Sequence, residues 1–207
     1  RENFLELHVY EQSQVYLSLS ENERLRTYNF LSPKEMADMF EILEEEEESV
    51  EKYLEEMNPQ YAADMLSEMY RDNAVDMLNQ LEPITIKKYL SLMPKEDVEG
   101  INKLLKYEDD TAGSIMTTEF VDFKSGMTVE KALARIRRIG KNVETINLLY
   151  VTNRERVLMG VLSIRELLLA DPDELVDDLM ETNIISVETF TDQEEIARLF
   201  RQYDILA

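Results

Sequence analysis

The chain has 207 residues, enough for one large or two ordinary domains that each bury a hydrophobic core. Its 44 acidic and 22 basic residues give a formal net charge of −22, which argues against binding nucleic acid or an anionic membrane surface. The absence of cysteine excludes disulfides, thiolate metal ligands and a cysteine nucleophile, and is consistent with a reducing cytoplasm. Divalent cations and basic proteins are the natural partners of such a charge.

Neither a membrane span nor a secretion signal is evident in the sequence. No apolar run approaches the roughly 18 residues that a spanning helix needs, and the longest candidate is Ile146–Val151. No signal peptide is recognisable, and Arg1 is not a natural start, so we expect the chain to be part of a longer protein.

Residues 1–106 are predicted to form an array of short acidic helices. Ser32–Glu35 combines an N-cap serine, a proline in the first helical position and a capping-box glutamate. Asn58-Pro59 begins another helix in the same way, and Pro83 and Pro94 mark two more starts. Since the helices are short and amphipathic, we expect them to stack as an α-helical superhelix.

A weak repeat within this half places an aspartate and methionines inside successive helices. Its copies are Met-Ala-Asp-Met at 36–39, Ala-Asp-Met-Leu at 63–66 and Val-Asp-Met-Leu at 75–78. We interpret the methionines as core residues. The acidic run Glu44–Glu48 is interpreted as a solvated loop or helix end.

The aspartates Asp38, Asp64, Asp72 and Asp76 stand out because aspartate is a poor mid-helix residue. Either solubility alone or a specific function would explain them. Asp72 and Asp76 are four residues apart and therefore project from one helix face, where their repulsion is mildly destabilising. A bound cation would reverse the sign of that interaction.

The stretch Tyr107–Thr118, reading YEDDTAGSIMTT, separates the helical half from a half in which strands and helices alternate. Gly113 permits a turn that other residues resist. We therefore expect the two halves to be separate rigid bodies hinged at Asp110–Ser114.

The second half is predicted to be α/β and internally repeated. Its first copy, assigned to residues 107–177, should contain strands at Phe120–Phe123, Ile146–Val151 and Val157–Leu162, and helices at Val129–Ile139 and from Ser163 to Ala170. The pattern restarts at Asp178–Thr182, with a strand at Ile184–Val187 and a helix at Glu195–Tyr203. The second copy, residues 178–207, stops before its own strand pair.

Strand–helix–strand–strand–helix, begun twice, resembles a tandem pair of CBS domains. Together with the acidic helices, the T-A-G-x-x-M-T junction and the A-D-P turn followed by T-D-Q-E-E resemble the cytosolic region of the MgtE magnesium channel family. Residues 1–30 carry little of this resemblance. It implies a multidomain α and α/β protein, an N-terminal helical superhelix followed by a tandem CBS pair whose second copy is incomplete.

The resemblance also implies a homodimer through the CBS domains, on the cytoplasmic face of the cell membrane, beneath a transmembrane pore that is not in this chain. Mg²⁺ would fill acidic sites between the helical and CBS parts and favour the compact, closed state. Carried over position by position, the implied Mg²⁺ ligands are Asp72, Asp76, Asp38, the Ser114 carbonyl, Asp192, Glu194, the Arg201 carbonyl and Asp204.

Two alternatives stay open. A CBS pair that senses adenine nucleotides would use Ser163 and Glu166 at a ribose, with ATP in the cleft, although ribose-binding versions commonly carry aspartate where this chain has Glu166. A helical scaffold for basic proteins would explain only the first half. An enzyme is not expected, because His8 is the only histidine and no phosphate loop, dinucleotide turn or nucleophile elbow is present.

Overall fold

The computed structural model describes residues 2–45 and 50–203, and the chain divides into two compact units, Arg1–Asp109 and Asp110–Ala207. Asp204 and most of the acidic run Glu44–Glu48 lie outside the described residues. No helix of the described residues is long and apolar enough to cross a membrane.

The first unit is helical throughout its described part, as predicted. Its helices are α1 Glu2–Leu5, α2 Val9–Ser18, α3 Glu21–Thr27, α4 Pro33–Glu45, α5 Glu51–Glu56, α6 Pro59–Glu68, α7 Arg71–Asn79, α8 Pro83–Leu90 and α9 Lys95–Leu104.

Capping residues determine where these helices begin. At α4 the Ser32 hydroxyl accepts from the Glu35 amide at 3.2 Å, and the Glu35 carboxylate accepts from the Ser32 amide at 2.7 Å. Asn58 caps α6 through its side chain, which accepts from the Gln60 amide at 2.9 Å. The predicted starts are confirmed, with Pro94 lying in the cap position one residue before α9.

Methionines build much of the core of this unit. Met36, Met39, Met65 and Met77 are each fully buried, so the interpretation of the repeat as core packing is confirmed. Their aspartate neighbours in the repeat stay at the partly exposed edge of the same helices. The repeat therefore places one side of each helix in the core and an acidic side chain beside it.

A buried ion pair attaches the first thirty residues to the rest of the helical unit. Arg24 is 4% exposed, and its Nε donates to the Glu56 carboxylate of α5 at 2.8 Å. The guanidinium also donates to the Leu19 carbonyl at 2.6 Å and lies over the Tyr53 ring, 5.0 Å from its centroid. The Tyr28 hydroxyl donates to the same carboxylate at 3.3 Å. These contacts make α2 and α3 an integral part of the unit.

The second unit is α/β. Its elements are β1 Asp122–Lys124, α10 Val129–Ile139, a 3₁₀ turn Gly140–Asn142, β2 Leu148–Thr152, β3 Leu158–Ser163, α11 Ile164–Leu169, α12 Val176–Leu179 and α13 Gln193–Tyr203. The sheet has the order β1-β2-β3, with β1 parallel to β2 and β2 antiparallel to β3. Helix α10 provides the crossover between the parallel strands.

The core of this unit lies between the sheet and its helices. Phe123, Leu149, Val151 and Leu162 of the strands are at most 2% exposed, and they form one apolar cluster with Leu167 of α11. The observed strands begin one to two residues later than predicted, a normal error for strand ends read from sequence.

The predicted strand Ile184–Val187 is wrong. These residues are not in a strand, and Ile185 and Val187 are more than 40% exposed. A strand is stable only when a neighbouring strand satisfies its backbone groups. In the described residues the second copy offers no such neighbour, and its leading segment instead makes a single bridge between Glu181 and Val161 of β3.

Candidate metal centre

Asp72 and Asp76 lie one turn apart on α7, the helix that packs against α9 and α4. The core face of α7 carries Ala74 and Val75, and both aspartates are partly buried beside it. Asp72 is in the first turn, where the positive end of the helix dipole favours a carboxylate.

Asp76 is electrostatically unfavourable as a carboxylate. Burial raises its pKa above the ordinary value, and the negative charge of Asp109 raises the pKa further. A cation near Asp76 would relieve both effects, because it stabilises the ionised form.

Asp38, the third predicted ligand of the helical unit, is paired with a lysine. Its carboxylate lies 2.9 Å from the Lys34 ammonium one turn earlier on α4, and both side chains are about half exposed. Partial burial disfavours the charge of Lys34, but the hydrogen bond from Lys34 to Asp38 and the charge of Asp38 outweigh it and raise the pKa of Lys34. A metal at Asp38 would therefore compete with this lysine. Neither the spacing of the aspartates nor the resemblance signals that pairing.

The junction Asp110–Ser114 differs from the expected hinge. It belongs to the second unit, where Thr111 bridges Asp192 and the Ala112 amide donates to the Thr191 carbonyl at 2.8 Å. The left-handed residue of the turn is Asp110, with φ 61°, and Gly113 does not adopt a positive φ. The predicted ligands Ser114 and Asp192 are consequently brought to the same part of the unit.

Asp192 and Glu194 lie at the start of α13. One oxygen of Asp192, Oδ1, accepts from the Glu194 amide at 2.8 Å and so caps the helix. Both side chains are exposed, as is Arg201 in the last turn. Arg201 lines a shallow groove with Ile115 and Phe200. The remaining predicted ligand, Asp204, lies outside the described residues.

Ser163 and Glu166, predicted to meet a ribose, form the capping box of α11. The Ser163 amide and hydroxyl donate to the Glu166 carboxylate at 2.7 and 2.9 Å, and the Ser163 hydroxyl accepts from the Glu166 amide at 3.2 Å. Both side chains therefore already have a structural role. Nucleotide binding at this point would have to share these groups with the helix cap.

The predicted ligands suit Mg²⁺ by their chemistry. They are carboxylate and carbonyl oxygens, the hard donors that Mg²⁺ prefers. Among the described residues no group of three acidic or histidine side chains could hold a metal ion. Mg²⁺ usually keeps several waters and needs only one or two carboxylates, so the pair Asp72 and Asp76 fits it. The pair does not fit a metal that needs protein atoms for all of its ligands.

Two family models match the chain. The model described as the MgtE intracellular N domain matches residues 7–110, and the CBS domain model matches residues 112–173. The helical unit and the α/β unit thus each correspond to a known domain family. The expectation that residues 1–30 carry little of the resemblance was wrong, because the first match begins at residue 7. The predicted fold class, a helical domain followed by a CBS domain with a small sheet, is confirmed.

Curated relatives are named as magnesium transporters. The "Magnesium transporter MgtE" of Enterococcus faecalis is 50% identical over 207 residues, which is the whole of this chain and 46% of that protein. The protein of the same name from Bacillus subtilis is 42% identical over 118 residues, 57% of this chain and 26% of that protein. The chain therefore spans about half the length or less of these relatives.

Two solved structures resemble the whole chain. One, described as the soluble part of a magnesium transporter, has a TM-score of 0.94 and 50% identity, and the match covers 100% of this chain and 80% of that one. The other, the cytosolic domain of the Mg²⁺ channel MgtE in complex with ATP, has a TM-score of 0.89 and 32% identity, and covers 99% and 83%.

The predicted resemblance is confirmed at the level of both sequence and fold. The match to the intracellular domain model agrees with the predicted position on the cytoplasmic side. Since that model accounts for half of the chain and a relative is 50% identical over all of it, the chain belongs to the MgtE family.

Proposed function

We propose that this chain is the Mg²⁺-sensing regulatory region of a magnesium channel or transporter, in which bound Mg²⁺ favours the compact, closed state. The observation that carries the proposal is the pair of partly buried aspartates one turn apart on α7, Asp72 and Asp76. Burial and the charge of Asp109 raise the pKa of Asp76. Such a group gains more from a nearby cation than a fully solvated carboxylate does. The unfavourable charge of Asp76 also makes the metal-free protein less stable.

The proposed ligands come from both units. Asp72 and Asp76, with Asp38 as the weaker member because of Lys34, would serve on the helical side. The Ser114 carbonyl, Asp192, Glu194, the Arg201 carbonyl and Asp204 would serve on the CBS side. Mg²⁺ would supply the positive charge that offsets repulsion among these acids.

The wider assignment follows from the family. We infer a homodimer through the CBS domains, attached to a transmembrane pore at the cytoplasmic face of the cell membrane. Catalysis is not expected, because the named relatives are transporters. Nucleic acid is not an expected partner either, given the net charge of −22. The proposed domains are residues 1–106, 107–177 and 178–207.

Small-angle scattering tests the proposal directly. The radius of gyration should fall when millimolar MgCl₂ is added, and the fall should exceed the one produced by NaCl at equal ionic strength. The sodium control separates specific binding from general screening of the negative charge. Identical titrations with the two salts would contradict Mg²⁺ sensing.

The variants Asp76→Asn and Asp64→Asn locate the response. Both aspartates hold the same place in the helical repeat and both are partly buried. Burial and the charge of Asp109 raise the pKa of Asp76. In Asp64→Asn the side chain keeps an oxygen, which can still accept the 2.8 Å hydrogen bond from the Gln60 side chain. Loss of a charged contact costs about 1–3 kcal/mol, so Asp76→Asn should raise the Mg²⁺ midpoint roughly 5- to 150-fold.

Asp64→Asn should leave the midpoint within about twofold of the parent, as is usual for a substitution away from a site. Equal midpoints for the two variants would show that the metal does not bind at α7. A response lost in both would point instead to general charge reduction.

Sensing of adenine nucleotides is the second candidate, favoured by the solved relative that is described as a complex with ATP. Ser163→Ala removes the hydroxyl proposed for the ribose but also weakens a helix cap. Ser20→Ala is the matched control, because Ser20 forms the same capping box with Glu23 in the helical unit. ATP should raise the melting temperature of the parent and of Ser20→Ala, but not of Ser163→Ala. A parent that does not respond to ATP would contradict this candidate.

A further inference from the structure

Four hydrogen bonds fasten the chain entering the second unit to the first residue of α13 and the segment that precedes it. The Gln193 amide donates to the Asp110 carbonyl at 2.8 Å, and the Gln193 side chain Nε2 donates to Asp110 Oδ1 at 2.6 Å. The amides of Ala112 and Gly113 donate to the carbonyls of Thr191 and Thr189 at 2.8 and 2.7 Å. We call the segments 110–113 and 189–193, joined by these bonds, the junction clip.

The junction clip requires an unusual backbone conformation at Asp110. Asp110 has φ 61°, a left-handed conformation that is unfavourable for most side chains and tolerated by Asp and Asn. Its carboxylate and its carbonyl both face Gln193, so one residue contributes two of the four bonds. A simple linker between two domains would not need an aspartate held in this conformation by a partner 83 positions later.

The clip surrounds the ligands proposed on the CBS side. Gln193 lies between Asp192 and Glu194, and the Asp192 side chain caps the same turn. Ser114 follows the clip directly and is tied to it, because its hydroxyl donates to the Thr111 carbonyl at 2.9 Å. Fixing Asp110 to Gln193 therefore fixes the turns that carry all three groups.

We propose that Asp110 and Gln193 are positioning residues that hold the Ser114 carbonyl and the carboxylates of Asp192 and Glu194 in one arrangement before any metal binds. This inference rests on the proposed Mg²⁺-sensing function. A preformed arrangement lowers the ordering cost of binding, which is how a weak site with few protein ligands gains affinity. The same arrangement includes Asp110, the first residue of the second unit.

Amide hydrogen exchange of the metal-free chain tests whether the clip orders the turn. Gln193→Met keeps the backbone donor and the length of the side chain but removes the bond to Asp110 Oδ1. Exchange at Ala112 and Gly113 should become at least tenfold faster, while Leu149 and Val151 in the core of the sheet should not change. Gln202→Met, an exposed residue on the same helix, is the matched control.

The Mg²⁺ midpoint for compaction tests whether this order matters for binding. Gln193→Met and Asp110→Gly should each raise the midpoint at least fivefold, although glycine relieves the unfavourable φ. Asp110→Asn should restore the parent value, because its amide oxygen still accepts and Asn tolerates the left-handed region.

The outcomes separate this inference from the function on which it rests. A parent that does not compact with Mg²⁺ overturns the proposed function and the positioning role together. A parent that compacts, with an unchanged midpoint in Gln193→Met, overturns the positioning role alone. Unchanged exchange at Ala112 and Gly113 in Gln193→Met also overturns it, since the side-chain bond would then not order the turn.

Discussion

The buried ion pair between Arg24 and Glu56 should contribute more to the stability of the helical unit than any exposed pair in the chain's first half. In Glu56→Gln the guanidinium keeps its charge but loses the compensating carboxylate. The Arg24 and Glu56 side chains are only 5% and 9% exposed, so solvent cannot replace the lost partner. The hydrogen bond from Tyr28 is weakened in the same variant.

Breaking one side of a buried ion pair costs about 3–5 kcal/mol. We expect the lower end, about 3 kcal/mol, because the Leu19 carbonyl and the Tyr53 ring still stabilise the guanidinium. With a urea dependence of about 1–3 kcal/mol per molar, this loss lowers the unfolding midpoint by roughly 1–3 M. It is a large part of the 5–15 kcal/mol that typically separates folded from unfolded domains.

Urea unfolding followed by far-ultraviolet circular dichroism measures the effect, because helices dominate the first unit. The matched control is Asp38→Asn, which breaks the exposed pair with Lys34, whose two side chains are 44% and 53% exposed. An exposed pair contributes about 0.2–1 kcal/mol. If Glu56→Gln and Asp38→Asn shift the midpoint equally, the argument from burial is refuted. The double variant Arg24→Met with Glu56→Leu should recover most of the loss, because no unpaired charge then remains.

Three further predictions concern pH, packing and backbone conformation. Because burial and then the charge of Asp109 raise the pKa of Asp76, the folded state binds its proton more tightly. The metal-free protein should lose stability as the pH rises from the unfolded value of 3.8 through the raised pKa, and Asp76→Asn should remove this loss in pH-dependent melting. Gly160→Ala should destabilise the second unit by about 1–3 kcal/mol, because a Cβ there would lie 2.7 Å from the Glu181 carbonyl oxygen. In Gly126→Ala the added Cβ would have no atom within 4 Å, but the φ of 83° at this position should still cost about 1–2 kcal/mol. The urea midpoints of the two variants check both values.

Local sequence signals predicted the helix starts well. The capping boxes at Ser32 and Ser163 and the cap at Asn58 act within three residues, so a short stretch of sequence contains the whole interaction. The alternation of helix and strand in the first CBS copy was equally readable. These features need no knowledge of distant residues.

Features that depend on distant residues were not predicted. The bond between Gln193 and Asp110 joins positions 83 apart, so the sequence indicated only a hinge at this junction, with Gly113 as its turn. The strand expected at Ile184–Val187 had the right composition but has no neighbouring strand in the described residues. An aspartate at the turn in place of the usual glycine or asparagine was the only local hint of the clip.

Some candidate ligands were predicted from their spacing in the sequence, and others only from the family resemblance. Spacing alone places Asp72 and Asp76 on one helix face, and the structure adds that Asp76 is unfavourable as a carboxylate. For Asp38 the sequence contains Lys34 one turn earlier, but only the structure shows the two in contact. The resemblance supplied the CBS-side residues, for which no periodic signal exists.

The small number of protein ligands within each unit determines how the proposed sensor can respond. Changing a two-state population from 1:99 to 99:1 requires about 5.5 kcal/mol of differential binding. If each carboxylate contact contributes about 1–3 kcal/mol, roughly two to six such contacts have to act together. Loss of one of them, as in Asp76→Asn, should then move the Mg²⁺ midpoint and lower the steepness of the titration without abolishing compaction. A variant with full loss of compaction would indicate one dominant site instead, and the distributed acidity of the chain, with its net charge of −22, would need another explanation.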